Sequence, residues 1–153
     1  MDKSKIFGLV EKALERLYKY QNYMIQNKVH ERSIVFWFGI YMYELLNKSS
    51  FSEYRIDLDY NRNHADPKKT KKFPKGIYPD IIIHRHGENN HNLTVIEFKT
   101  WWNPKNSKDI EKLKEFTDSN GDYKYQFGMS IILRKDEPEI HIIQNGTITE
   151  AIR

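Results

Sequence analysis

The sequence predicts a mixed α/β (α+β) fold. A mixed central β-sheet is flanked by helices in the order α-α-β-β-β-α-β, with a C-terminal hairpin after it. Three observations lead there. The first third of the chain places apolar residues at helical spacing. The middle holds short apolar or alternating runs between polar turns, interrupted by one further helical segment. Near the end, Asn145-Gly146 separates EIHIIQ from TITEAI, a strong hairpin signal.

Residues 4–26 form the first predicted helix, with Ile6, Leu9, Val10, Ala13, Leu14, Leu17, Gln21, Met24 and Ile25 on one face. A second helix is predicted from about Val29 to Asn47. Its middle, IVFWFGIYMYELL, is apolar around nearly the whole circumference, which implies burial on more than one side. Gly39 within it allows close packing. Tyr54, Ile56, Leu58 and Tyr60 alternate with Arg55, Asp57 and Asp59, so a strand with one polar face is expected at 54–60. The stretch NRNHADPKKTKKFPKG is polar and broken by proline and glycine, and reads as a loop. Strands 79–85 and 93–99 read as a hairpin around HGENNHN. SKDIEKLKEFTD forms a helix with Ser107 as its expected N-cap and Ile110, Leu113 and Phe116 or Thr117 as its apolar face. A strand near 126–134 and the terminal hairpin complete the chain.

At 153 residues the chain is long enough for one domain with a core of its own. It has no cysteine, which excludes disulfides, thiolate metal sites and cysteine nucleophiles. No apolar run has the length of a membrane span, and the charged N-terminus is not a signal peptide, so a cytoplasmic protein is expected. The net charge is only +4, so the placement of charge matters more than its total.

The informative stretch is YPDIIIHRHGENNHNLTVIEFKTWW. Asp80 opens one apolar run, and Glu97 sits inside the other with Lys99 two residues on. With the turn centred near Asn89-Asn90, Asp80 lies opposite Phe98 or Lys99, and Asp80, Glu97 and Lys99 gather at the open end of the hairpin. Glu97 and Lys99 share a face, separated by roughly 7 Å of rise. Two adjacent buried carboxylates repel, and one lysine cannot neutralise both. A divalent ion can, and hard oxygen ligands select magnesium or manganese over zinc. His84 and His86 lie nearby without convincing ligand spacing to these acids. The alternative is a buried acid–lysine pair with no chemistry.

Pro79-Asp80, then sixteen residues, then Glu97-Phe98-Lys99 resembles the signature of the PD-(D/E)xK nuclease superfamily. That superfamily includes restriction endonucleases, Holliday-junction resolvases and small phage and defence nucleases. Its core is a helix, three antiparallel strands, a helix and a further strand. Residues 30–134 match that order, leaving helix 4–26 and hairpin 139–151 as additions. The resemblance implies a restriction-endonuclease-like core and a metal-dependent endonuclease acting on DNA, with RNA left open. Asp80, Glu97 and the Phe98 backbone carbonyl would ligate Mg2+, with Mn2+ as a substitute, and Lys99 would assist the attacking water. Glu31, at the start of the second helix, would complete the site; Glu44 is the alternative. Because a chain of this size holds one site, cutting both strands of a duplex implies a homodimer. The rival reading is a non-catalytic nucleic-acid-binding module with a nuclease-like fold.

The expected substrate surface is the loop carrying Arg62, Lys68, Lys69, Lys71, Lys72 and Lys75 against the single acid Asp66. Asp59, Asn61 and Gln126 are supporting candidates, and Trp101-Trp102 are either base-stacking rings or a seal on the next helix.

Overall fold

The computed structural model describes residues 3–60, 67–74 and 76–152. Two helices, α1 (Lys3–Tyr20) and α2 (Asn22–Gln26), take the place of the single helix expected over 4–26. The break falls at Gln21, whose backbone leaves helical geometry at ψ 24°. Its side-chain amide donates to the Tyr41 hydroxyl at 2.9 Å. Helix α3 (Glu31–Asn47) follows, with His30 at its N-cap. The strands are β1 (Arg55–Leu58), β2 (Ile81–His84) and β3 (Thr94–Thr100). Helix α4 (Ser107–Thr117) then leads to β4 (Phe127–Leu133), β5 (Pro138–Gln144) and β6 (Thr147–Ile152).

The six strands form one sheet in sequence order. All neighbours are antiparallel except β3 and β4, which run parallel on either side of the α4 crossover. The sheet is therefore mixed, as expected. The terminal hairpin extends it through β5 and β6 rather than standing apart. Its turn uses Asn145 and Gly146 at φ 46° and 75°, the left-handed pair that a two-residue hairpin requires.

Apolar side chains form a cluster on each face of the sheet. On one, Ile6, Leu14 and Leu17 of α1 and Ile34, Phe38 and Met42 of α3 meet Ile81, Ile83, Ile96 and Phe98. On the other, Leu113 and Phe116 of α4 meet Ile82, Val95, Tyr125 and Ile143. Alternation along β2 and β3 thus divides each strand between two cores, which explains their nearly continuous burial. Gly39 does permit a close approach: a Cβ there would stand 3.1 Å from Leu58 Cδ1. Among the described residues no helix is long and apolar enough to cross a membrane.

Candidate functional site

The register of β2 and β3 pairs Ile81 with Ile96 and Ile82 with Val95. One step further toward the open end, Asp80 stands opposite Glu97. The sequence reading had put Phe98 or Lys99 there, because it centred the turn too far along. The correction brings the two carboxyls side by side on one face. The Phe98 amide donates to Asp80 Oδ2 at 2.8 Å, and the two side chains share a hydrogen bond. The N–H and C=O of one strand residue point the same way, so the Phe98 carbonyl also faces the Asp80 side, beyond the end of β2.

The Glu-Phe-Lys order has a packing reason. Phe98 turns into the core, where it meets Phe38 of α3 edge to face with ring centres 4.9 Å apart. Glu97 and Lys99, one step either side, turn toward α4. Glu97 is only 3 % exposed, and its Oε1 has no hydrogen-bond partner. Burial, then the neighbouring Asp80, raises its carboxyl well above the ordinary range. Asp80 is raised too, chiefly by burial.

Glu31 comes from the first turn of α3 and reaches this end of the sheet. Burial first, then Asp80, lifts it from 4.5 to about 7. Glu44 does not come near; it is exposed and paired with Arg16 at 3.2 Å. Asp59 follows β1 at φ 51°, and its amide donates to the Asp80 carbonyl at 3.2 Å. Glu31, Asp59 and Asp80 all line an open groove of about 550 Å³, together with Lys28, His30, Arg32, Tyr78 and Trp102.

Two further charged residues went unnoticed in the sequence. The expected apolar face of α4 carries Asp109, which is buried at 4 % exposure. It lies 3.5 Å from the Lys99 ammonium and 3.7 Å from that of Lys112. Burial outweighs both lysines and raises Asp109. For Lys99, burial alone would lower the ammonium, but Asp109 and Glu31 outweigh it and raise it. The only available signal was an acid spaced four residues before Leu113 in an amphipathic helix, which more often marks a helix's first turn. Asn106, not Ser107, is the α4 N-cap, and its side chain instead donates to Ser130 beside Glu97 at 3.0 Å.

Four carboxyls (Glu31, Asp80, Glu97 and Asp109) therefore meet two ammonium groups (Lys99 and Lys112). Fully ionised, the cluster carries two uncompensated negative charges. Burial is the first cause that raises each of the four carboxyls, and neighbouring acids add to it at Glu31, Asp80 and Glu97. The cluster's donors are hard carboxylate oxygens, among them the buried and unpartnered Glu97 Oε1, a set that could hold a divalent cation.

Several expected residues do not join the site. Gln126 is exposed and precedes β4 at the opposite end of the sheet, four residues before the strand position beside Glu97 and so about 13 Å away. Lys68 is buried at 1 % exposure, with its ammonium over the rings of Tyr60, Tyr123 and Tyr125 at 5.5, 5.0 and 6.0 Å. Burial lowers it to about 8, so it is not a surface phosphate contact. Lys72 is exposed but paired with Glu111 of α4 at 2.5 Å. Lys69 and Lys71 remain exposed. Arg62, Lys75 and Asn61 lie outside the described residues. Trp101 seals against α2 rather than the following helix: its indole donates to the Ile25 carbonyl at 2.9 Å and its ring packs against the core on the α1 and α3 side.

Comparison with family models, with curated proteins and with solved structures finds no match for this chain.

Proposed function

We propose that this chain is a metal-dependent endonuclease that hydrolyses DNA phosphodiester bonds, on a core of the restriction-endonuclease kind. The observation that carries this reading is the pair of buried carboxyls Asp80 and Glu97, side by side in a cluster whose four acids outnumber its two lysines and would be two charges in excess when ionised. A structural ion-pair network has no use for that excess, since it costs stability wherever no cation balances it. A site awaiting a divalent ion has.

Asp80, Glu97 and the Phe98 carbonyl would hold Mg2+ or Mn2+, with Glu31 at the rim. The ion, when bound, supplies a polarised phosphate and a water acidic enough to attack. Lys99 is braced by Asp109, which keeps its ammonium charged and oriented at the cluster. There it stabilises charge building on the phosphate oxygens and positions the nucleophilic water. Lys28, His30 and Arg32 line the groove that leads to the acids and give the DNA backbone its contacts. They take over the part expected of the loop at 62–75, whose Lys68 and Lys72 are otherwise engaged. One site per chain cuts one strand, so duplex cleavage calls for a homodimer.

The test is cleavage of labelled plasmid and oligonucleotides with Mg2+ or Mn2+ at about 10 mM, near saturation for a weak hard-ion site. Wild type is run beside Asp80→Ala and Lys99→Ala. Metal-dependent cutting that both substitutions abolish is the expected result. Salt-sensitive DNA binding by a folded wild type that cuts no substrate would instead make the chain a non-catalytic nucleic-acid-binding module.

A further inference from the structure

A second polar cluster lies on the same sheet face at the other end of β2. The register pairs Arg55 with His84 and Asp57 with Ile82, which puts Asp57 and His84 diagonally adjacent on the α4 face. His86 returns to them from the turn after β2. The Nε2 atoms of His84 and His86 each lie 2.7 Å from the same oxygen, Asp57 Oδ2. One ligand atom from each of the three residues falls within 4.8 Å of the others. Burial opposes ionisation of Asp57, but the hydrogen bonds to the two histidines outweigh it and hold its carboxyl below the usual range.

The surroundings fix these rings. His84 is buried, with 3 % of its side chain exposed, whereas His86 is open at 56 %. Tyr60 packs edge-on to His84, with ring centres 4.7 Å apart, and lies parallel to His86 at 5.9 Å. The cluster thus has a closed inner wall and an open outer side. Three ligands with one position left to solvent is the arrangement of open metal sites rather than closed structural ones.

We propose that Asp57, His84 and His86 form a site for a divalent transition ion of the zinc class, separate from the carboxylate cluster. The donor set decides the class. Two imidazole nitrogens and one carboxylate oxygen suit zinc and its transition-metal neighbours, whereas magnesium favours oxygen alone. The geometry needs little change. Ligand atoms around a tetrahedral ion at about 2.0–2.1 Å stand roughly 3.3 Å apart, so each nitrogen–oxygen separation opens by about 0.6 Å while the two nitrogens, within 4.8 Å of each other, settle at about the same distance. With the ion bound, each ring would present a lone pair at Nε2 and carry its N–H at Nδ1, and Asp57 would then contact the ion in place of the two rings. Asp80 and His84 are four residues apart on one strand face, about 13 Å. Ile82 fills the space between them, so the two sites take their ions independently.

The experiment is calorimetric titration of the metal-stripped full chain with Zn2+, repeated with Mg2+, and Co2+ absorption as a spectroscopic readout. Wild type is compared with His86→Ala, Asp57→Asn and Asp80→Ala, each checked for fold by circular dichroism. His86 is exposed, so its removal tests the ligand without testing the core. The expected result is one Zn2+ equivalent that Mg2+ does not displace. His86→Ala should weaken it by more than the ten- to about a hundredfold typical of losing a supporting residue. Asp80→Ala should leave it intact, which separates this proposal from the nuclease reading. Absence of Zn2+ binding by the folded wild type would overturn it. So would binding that survives His86→Ala, or binding lost in Asp80→Ala.

Discussion

Glu97→Gln discriminates most sharply between a catalytic acid and a structural one. Glu97 is 3 % exposed, one oxygen has no partner, and Asp80 is its neighbour. Its folded pKa is raised, so the folded chain binds the proton more tightly than the unfolded chain. Stability then falls as pH rises from the unfolded carboxyl value toward the folded one, by up to about 1.4 kcal/mol per pH unit for a single group. Glutamine replaces the protonated acid with a neutral group of the same shape and removes that slope. The variant should match wild type near about pH 5 and gain unfolding free energy over it as the pH rises toward about 8. For a chain of this length that is a melting shift of about 2–4 °C per kcal/mol. Wild type should regain stability at the higher pH in Mg2+, and the variant should not. Chemical denaturation at the two pH values, with and without Mg2+, measures all four quantities. A variant less stable than wild type near about pH 8 would refute the reasoning. It would mean that the Glu97 charge is compensated within the protein and stabilises it.

Lys99→Ala should lower turnover by about 10²–10³-fold while leaving Mg2+ affinity near wild type, read by single-turnover cleavage and calorimetry. Mg2+ affinity should rise as pH climbs through about 7, where Glu31 loses its proton, and Glu31→Gln should flatten that profile in titrations across the range. A Lys28→Ala/Arg32→Ala double variant should bind DNA more weakly regardless of sequence and lower the salt slope by about 2, one per phosphate contact. Lys72→Ala, whose ammonium is held by Glu111, should change that slope much less when both are read by fluorescence titration of labelled DNA over a range of salt concentrations.

Much of the fold was readable because it rests on local signals. Helical periodicity located α3 and α4, alternation or short apolar runs between polar turns located the strands, and Asn145-Gly146 located the last turn. Asp80, Glu97 and Lys99 were readable for a related reason. Charges inside apolar runs stand out, and strand alternation assigns their face. What escaped depends on long-range placement. Asp109 belongs to a helix that looks complete without it, and only the crossover from β3 to β4 brings it to Lys99. Lys68 sits in a run of lysines that reads as a solvated loop, yet Tyr60 and two tyrosines distant in sequence, Tyr123 and Tyr125, enclose it. The Asp57–His84–His86 cluster depends on the pairing of β1 with β2, across a connection that sequence reasoning left without structure.

The alternation of Glu97, Phe98 and Lys99 constrains how such a chain can change over generations. A lengthened or shortened turn between His86 and Asn92 lies at the far end of the hairpin from the acids and leaves their facing unaltered. A single-residue insertion between Thr94 and Glu97 has a different consequence. It exchanges the two faces of the strand beyond it, sending a carboxylate and an ammonium into the greasy interior and a phenyl ring out toward α4. Length variation should therefore collect in the turn, and any lineage that retains the acids should keep the count of residues in the strand even where it changes their identity.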